Sequence, residues 1–340
     1  MKALVIEKPN HVVIKEVPYP KPGPNDVTIR VKNVGICGTD IHIFLGEFIS
    51  PYPIIPGHEF SGVVEEVGGA NVTEYQVGDR VTADPSLFCG HCEFCLTNRG
   101  GNQCENWGGA LGNTIDGSMA EFVKVPSSNV VRIPDTMTFA EAAFIEPMAC
   151  VVHGMNRLQL QVGDRVLMFG AGGAMGQQLI QSVKMAGASE LVVVDISPDK
   201  LEMALKWGGA TKVVTSDKVN DELSDEYYPN GFDVVIDATG IPKVIEQAFG
   251  FLGKTAKYLQ FGVTPIGSTV PLDPFRLYNK DWTLIGSMAI NHTFYPAFHW
   301  VKEGRIQLNH LISKEISLEE TVDYLKGPRD PNNLKVQIKI

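Results

Sequence analysis

Over the first 148 residues, apolar and polar positions alternate in short spans. Val12-Val-Ile-Lys-Glu-Val17, Val27-Thr-Ile-Arg-Val31 and Ser61-Gly-Val-Val-Glu-Glu-Val67 are rich in β-branched residues and bounded by Pro, Gly and Asn, which predicts strands joined by turns. Pro18, Pro20, Pro22 and Pro24 punctuate the loop between the first two. From about residue 149 the pattern changes. Arg165–Phe169, Leu191–Asp195, Lys212–Thr215, Phe232–Asp237 and Ala256–Phe261 are continuous, mostly apolar runs, and helical stretches fall at 177–185, 198–207 and 242–251. Apolar strands alternating with helices predict an α/β fold with a parallel, doubly wound sheet. Beyond about 289 come a helix over 295–303 and strands near 310–316 and 334–340, whose return to the first domain is one expectation.

Composition narrows the setting. A chain of 340 residues exceeds one ordinary core, so two domains are expected. The 44% hydrophobic and 20% charged fractions are those of a soluble globular protein. No apolar run approaches the roughly 20 residues of a membrane span. The opening Met1-Lys-Ala-Leu-Val-Ile reads as a strand with no basic region ahead of it, so a cytoplasmic location is expected. A net charge of −10 argues against nucleic acid or an anionic membrane as partner.

Four of the six cysteines crowd into Cys89-x2-Cys92-x2-Cys95-x8-Cys104. Zinc takes tetrahedral thiolate ligands, and closed four-thiolate sites are structural. Two other readings compete. Disulfides need an oxidising compartment. A ferredoxin run keeps its last cysteine three residues on and follows it with proline, whereas Cys104 lies further away and precedes Glu105. The spacing favours zinc.

A second chemistry follows the strand ending at Phe169. Gly170-Ala-Gly-Gly-Ala-Met-Gly176 leads into a helix, and such a turn lets backbone approach a pyrophosphate at the positive end of the helix dipole. An acidic residue is expected about twenty positions on to bind the ribose hydroxyls, and Asp195 stands there. A carboxylate repels a 2′-phosphate, which favours NAD over NADP; Lys200 is the residue that opposes this. One departure is visible. The strict motif has its last glycine three residues after the second, but Met175 occupies that position and Gly176 comes one later.

A third group is scattered: Cys37, His58, Glu59 and Glu146. Taken singly, each has an ordinary reading as a buried thiol, a turn histidine or a solvated carboxylate. Together, a thiolate, an imidazole and a carboxylate can hold zinc and leave a position open for water or substrate.

These motifs resemble those of the zinc-dependent medium-chain alcohol and polyol dehydrogenases, in the sorbitol and threonine dehydrogenase branch. The likeness spans essentially the whole chain. It rests on Cys37-Gly-Thr-Asp-Ile-His42, Pro56-Gly-His-Glu-Phe60, Gly78-Asp-Arg-Val81, the four-cysteine lobe, Glu146-Pro-Met-Ala and Asp237-Ala-Thr-Gly240. The resemblance implies a β-rich GroES-like catalytic domain from residues 1–148 and 289–340, with the zinc lobe at about 86–108. A Rossmann cofactor domain would occupy 149–288. It further implies two Zn²⁺ per chain. Cys37, His58 and Glu59 would hold the catalytic ion, and Glu146 would be a fourth ligand or hold a zinc-bound water. Cys89, Cys92, Cys95 and Cys104 would hold the structural ion. Thr39 and His42 resemble the family's proton relay. The cofactor set carried over is Gly170, Gly172, Gly173, Ala174, Met175, Gly176, Asp195, Lys200, Thr239 and Gly262.

The implied reaction moves a hydride between a secondary alcohol of a polyol and NAD, giving the ketose, in a homodimer or homotetramer. A sugar acid, a vicinal diol or threonine are the alternative substrates. A zinc-free reductase on the same architecture is opposed by the Cys37, His58 and Glu146 set. A nucleotide sensor or structural protein would keep only the zinc of the cysteine lobe. Sorbitol dehydrogenases carry an arginine in the stretch corresponding to Ser287-Met-Ala-Ile-Asn-His292, and this chain has none; Asn291 and His292 either replace it or are loop surface. Five Gly-Gly pairs also stand out, at 68–69, 100–101, 108–109, 172–173 and 208–209. Removing one glycine from each brings the spacing closer to the family pattern. The expectation is that fold and metal sites tolerate them and that any cost falls on cofactor affinity.

Overall fold

The computed structural model describes residues 1–97, 100–330 and 332–340. The chain divides into two compact units, Met1–Ala149 with Ile290–Ile340, and Cys150–Ala289.

In chain order the first unit opens with β1 (Lys2–Lys8), β2 (His11–Glu16), β3 (Asp26–Gly35), α1 (Gly38–Leu45), β4 (Glu59–Val67), β5 (Arg80–Ala83), α2 (Glu93–Leu96), β6 (Phe122–Pro126), β7 (Val130–Arg132) and α3 (Phe139–Ala142). α4 (Ile145–Leu158) carries the chain into the second unit. There follow β8 (Arg165–Phe169), α5 (Ala174–Met185), β9 (Glu190–Asp195), α6 (Pro198–Met203), β10 (Lys212–Thr215), α7 (Val219–Glu222), β11 (Phe232–Asp237), α8 (Pro242–Ala248), β12 (Leu252–Gln260), α9 (Pro274–Asn279) and β13 (Thr283–Gly286). α10 (Phe294–Lys302), β14 (Ile312–Ile316), α11 (Glu320–Lys326) and β15 (Lys335–Lys339) complete the first unit.

β1 and β2 form a hairpin, and the larger sheet of the first unit runs β14-β15-β3-β4-β5-β7, with β6 also on β3. β15 pairs antiparallel with β3, Gln337 opposite Gly35, so the C-terminal strands add to a sheet begun at the N-terminus. Apolar residues of β1, β3, β4 and β6 meet β15 in one core that includes Leu4, Ile29, Val64, Val125 and Ile338. Burial of such side chains stabilises by about 1.5–3 kcal/mol each.

The second unit holds a six-stranded parallel sheet, β10-β9-β8-β11-β12-β13. Its central strands are buried on both faces, which is why they read as continuous apolar runs. Proline stands at the first turn of α6, α8 and α9, where its missing N–H costs nothing. Strand order reverses between β8 and β11, and this switch point is where open α/β sheets bind ligands.

The elements differ from the sequence expectation in a few places. α5 begins at Ala174 with Gly173 as N-cap, three residues before the expected 177. The expected helix 198–207 is α6 followed by a π turn over Ala204–Gly208, a wider turn that takes in an extra residue next to the Gly208-Gly209 pair. α1 and the first turn of α4 fall in the stretch expected as strands and turns. No helix is long and apolar enough to cross a membrane among the described residues.

Candidate metal centres and dinucleotide site

Cys37 stands at the N-cap of α1, at the end of the turn leaving β3. His58 and Glu59 stand where the chain enters β4, the strand antiparallel to β3, with Glu59 opposite Gly35. Strand pairing thus brings Cys37 to the same end of the sheet as His58 and Glu59. One ligand atom from each of Cys37, His58 and Glu59 lies within 4.8 Å of the others. His58 and Glu59 are 4% and 1% exposed, and so sit in a dry site where an ion would be screened little by water.

Two residues that sequence reasoning passed over organise this group. Asp40 is fully buried; its Oδ2 accepts the Cys37 N–H at 2.8 Å and its Oδ1 accepts the Gly57 N–H at 3.1 Å. It therefore ties together the two segments that bear the donors. The signal was local: with Cys37 at the N-cap, Asp40 is the acidic N3 residue of a capping box. Asp40 Oδ1 also stands 3.6 Å from His58 Nδ1, an ion-pair distance, and that Nδ1 has no hydrogen-bond partner among the described residues. A carboxylate behind one ring nitrogen leaves Nε2 to bind a metal, the usual support of a metal-bound histidine. Burial alone would lower the His58 pKa, but the charges of Asp40 and Cys37 raise it well above the usual value. In this environment the ring favours a positive charge, and a metal cation can supply that charge in place of the proton.

Lys335 is the other. Its Nζ donates to Glu59 Oε1 at 2.8 Å and Oε2 at 2.7 Å, and to the Ile36 carbonyl at 3.2 Å. Both side chains are buried. Burial lowers the Lys335 pKa, yet the Glu59 and Cys37 charges raise it overall. A lone lysine in a terminal strand gave no signal in the sequence, since its partner lies 276 positions away.

Glu146 lies at the start of α4 and is buried, but it is not in the group whose donor atoms are mutually within 4.8 Å. Burial, with the Glu59 charge adding and the His58 charge opposing, pushes its carboxyl up to about 7. Thr39 Oγ1 is 3.7 Å from Cys37 Sγ, and the half-exposed His42 ring pairs with Glu47 at 2.8 Å.

The four lobe cysteines form the second group, again with sulfurs within 4.8 Å of one another. Cys92 Sγ lies 3.5 Å from Cys95 Sγ and 3.9 Å from Cys104 Sγ, and Cys89 Sγ lies 4.0 Å from Cys95 Sγ. Zinc–sulfur bonds of about 2.3 Å place tetrahedral sulfurs about 3.8 Å apart, so the donor set fits one zinc ion. All four cysteines are free of disulfides. The Cys89 N–H points at Cys104 Sγ at 3.4 Å, and backbone N–H groups of His91 and Cys92 point at Cys89 Sγ at 3.5 and 3.3 Å, which favours a thiolate at Cys89. Asn291 and His292 pack on this lobe: Asn291 Oδ1 accepts the Gly101 N–H at 2.8 Å, and the His292 ring lies 5.1 Å from that of Phe88. They brace the cysteine lobe, whereas the sequence pointed to a substitute for the missing arginine or to loop surface.

In the second unit the turn from Gly170 to Gly173 leaves the end of β8 at the switch point, where the Ala238 N–H bonds to the Phe169 carbonyl at 2.8 Å. A Cβ on Gly172 would come within 2.6 Å of Asp195 Oδ2, so a larger residue there would push the carboxylate away from the turn. A Cβ on Gly176 would meet the Gly170 carbonyl at 2.3 Å. Gly176 therefore makes the close packing of helix on turn that the third glycine of the strict motif makes, and the turn itself is one residue longer. Gly173, Ala174 and Met175 form the helix entry, with Gly173 as N-cap. Asp195 ends β9 and accepts the Ser197 N–H at 3.0 Å; Lys200 follows on α6. Thr239 Oγ1 donates to Asp237 Oδ1 at 2.6 Å, and the Gly262 N–H bonds to the Asp237 carbonyl at 2.9 Å, so both sit beyond the carboxyl ends of β11 and β12.

Comparison with known proteins follows the same lines. Residues 23–135 match the alcohol dehydrogenase GroES-like domain, and residues 174–303 match the zinc-binding dehydrogenase family. The chain is 31% identical to D-arabinitol dehydrogenase 1 of Uromyces fabae, over 100% of this chain and 97% of that protein. It is 36% identical to an L-threonine 3-dehydrogenase of Rhizobium johnstonii, over 99% and 97%. A zinc-binding dehydrogenase from Sinorhizobium meliloti, solved bound to NADP, superposes with a TM-score of 0.94 at 33% identity, covering 100% of this chain and 99% of that one. Matched in both segments and over its whole length, the chain belongs to the zinc-dependent medium-chain dehydrogenases, enzymes that oxidise alcohols with a nicotinamide cofactor.

Proposed function

We propose that this enzyme oxidises a secondary alcohol of a sugar alcohol to the ketose with NAD, giving NADH and a proton. The observation that carries the reading is the donor group of one thiolate, one imidazole and one carboxylate from Cys37, His58 and Glu59. That carboxylate-containing set suits the polyol branch, and the likeness to a D-arabinitol dehydrogenase supports it. Zinc, when bound, supplies Lewis acidity that lowers the pKa of an alcohol. The remaining work belongs to the chain. Asp40 orients His58 and fixes the Cys37 turn, and Lys335 holds Glu59. Glu146 serves as a further ligand or holds a water. Thr39 and His42 take the released proton along α1 to the exposed His42–Glu47 pair. Cys89, Cys92, Cys95 and Cys104 hold a second, structural zinc.

NAD is the proposed cofactor because the Asp195 carboxylate, against the phosphate turn, opposes a 2′-phosphate. Threonine is the second substrate reading, favoured by the 36% identity to a threonine dehydrogenase. A screen of polyols, aldonates, vicinal diols and L-threonine with NAD and NADP, followed by absorbance of the reduced nicotinamide, separates these. Turnover of threonine alone overturns the polyol reading, and preference for NADP overturns the cofactor assignment.

The assembly is proposed as a homodimer or homotetramer. Among the described residues β13 is an edge strand of the parallel sheet, and Leu284 within it and Tyr278 just before it are exposed. Unpaired edges invite pairing with a second copy. Light scattering on the purified protein tests this, and a monomer at micromolar concentration would refute it.

A further inference from the structure

We infer that Gln177 is a positioning residue for dinucleotide binding, bracing the phosphate turn against α6 so that the Gly172 N–H faces the bound diphosphate. The inference rests on the reading of that turn as the dinucleotide site. Gln177 is fully buried in α5, and its Nε2 donates to the Ala171 carbonyl at 2.9 Å and to the Lys200 carbonyl at 3.1 Å. Two carbonyl acceptors on one side orient the amide unambiguously. Its Oε1 has no hydrogen-bond partner among the described residues. An unsatisfied buried acceptor is costly, and a leucine or methionine would fill the same space without it. The advantage of an amide here therefore lies in its two N–H bonds.

Those bonds have a geometric consequence. The peptide joining Ala171 to Gly172 is planar and trans, so the Gly172 N–H points opposite to the Ala171 C=O. With that carbonyl held inward by Gln177, the Gly172 N–H is held outward, as an anion donor must be. The second bond reaches α6, the helix that follows Asp195, whose carboxylate already lies against Gly172. One buried amide thus joins the segment that would hold the pyrophosphate to the segment that would hold the ribose. The turn carries one residue more than the strict motif, and a longer glycine-rich turn loses more entropy on ordering. A brace that orders it beforehand improves affinity for the cofactor.

The test uses the zinc-loaded full chain and two variants, Gln177→Met and Gln177→Glu. NADH binding is titrated by nicotinamide fluorescence, with ADP-ribose in competition and thermal unfolding alongside. In Gln177→Met the Kd values for NADH and ADP-ribose rise about tenfold together, and kcat at saturating cofactor falls far less than kcat/KM. Gln177→Glu, which when protonated donates one hydrogen bond, falls between Gln177→Met and the parent, and it carries the test if Gln177→Met does not fold. A folded variant with both Kd values within twofold of the parent, whatever its Tm, overturns the inference. Failure of the parent itself to bind NADH or NADPH overturns the dinucleotide reading instead.

Discussion

Cys37, His58 and Glu59 are supported by two buried residues, Asp40 and Lys335, and the supports differ in kind. Asp40 works through backbone: it accepts N–H groups from Cys37 and Gly57, so its removal loosens both donor segments at once. Lys335 works through charge, balancing a carboxylate that is nearly inaccessible to water. His58→Ala is expected to abolish turnover and remove one zinc equivalent, while NADH binding stays within a few-fold, because Asp195 and the phosphate turn lie in the other unit. Metal analysis and fluorescence titration on the same sample check this, and full turnover in a verified His58→Ala protein would refute it. Lys335→Met leaves Glu59 buried and unpaired, which costs about 3–5 kcal/mol when a buried partner is lost. The loss should be largest without zinc and smaller with it, since a cation beside Glu59 then replaces the ammonium. Urea unfolding with and without zinc measures the difference.

At the scale of elements, the cysteine lobe has little regular structure of its own: α2 is one turn, and no residue of it is buried. Such a segment depends on its attachments, among them the Asn291–Gly101 bond and the Phe88–His292 contact, and a zinc ion on the four cysteines would add to them. Cys95→Ser should therefore release the structural zinc and raise hydrogen exchange across the lobe before hydride transfer is affected. Retention of both zinc equivalents and of Tm in Cys95→Ser would overturn the assignment. The phosphate turn behaves differently. Gly172 is confined by Asp195, whereas a Cβ on Gly173 would meet nothing within 4 Å. Deleting Gly173 is expected to leave the fold intact and to tighten NAD binding; an unchanged or weaker affinity would mean that the longer turn holds phosphate as well as the shorter one.

For the whole molecule, removal of metal is the broadest test. A ligand that binds only the folded state at about a thousand times its Kd stabilises by about 4 kcal/mol. For a unit of this size that corresponds to roughly 10 °C in Tm. The holoprotein is expected to carry two zinc ions, and chelation should lower Tm by about that amount. Calorimetry with parallel metal analysis checks both, and one zinc confined to the lobe would favour the sensor or structural reading.

The class of fold and the candidate chemistries were legible along the chain, because both are written in local patterns. A parallel sheet buried on both faces needs continuous apolar strands, and the chain shows them at β8, β9 and β11. Thiolates spaced Cys-x2-Cys-x2-Cys, and a glycine turn between a strand and a helix, are likewise local. Short helices such as α1 were not legible, since eight residues carry too little periodicity to outweigh neighbouring strands. The tertiary structure decided what depends on contacts between distant segments. Lys335 meets Glu59 only because β15 pairs with β3 and β3 with β4. Asn291 and His292 acquire a role only where the returning chain passes the lobe. Gln177 looks like any glutamine on a helix until folding seals it from water and leaves two carbonyls within its reach. Burial turns ordinary polar residues into fixed donors and charges, and no local pattern records which residues will be buried together.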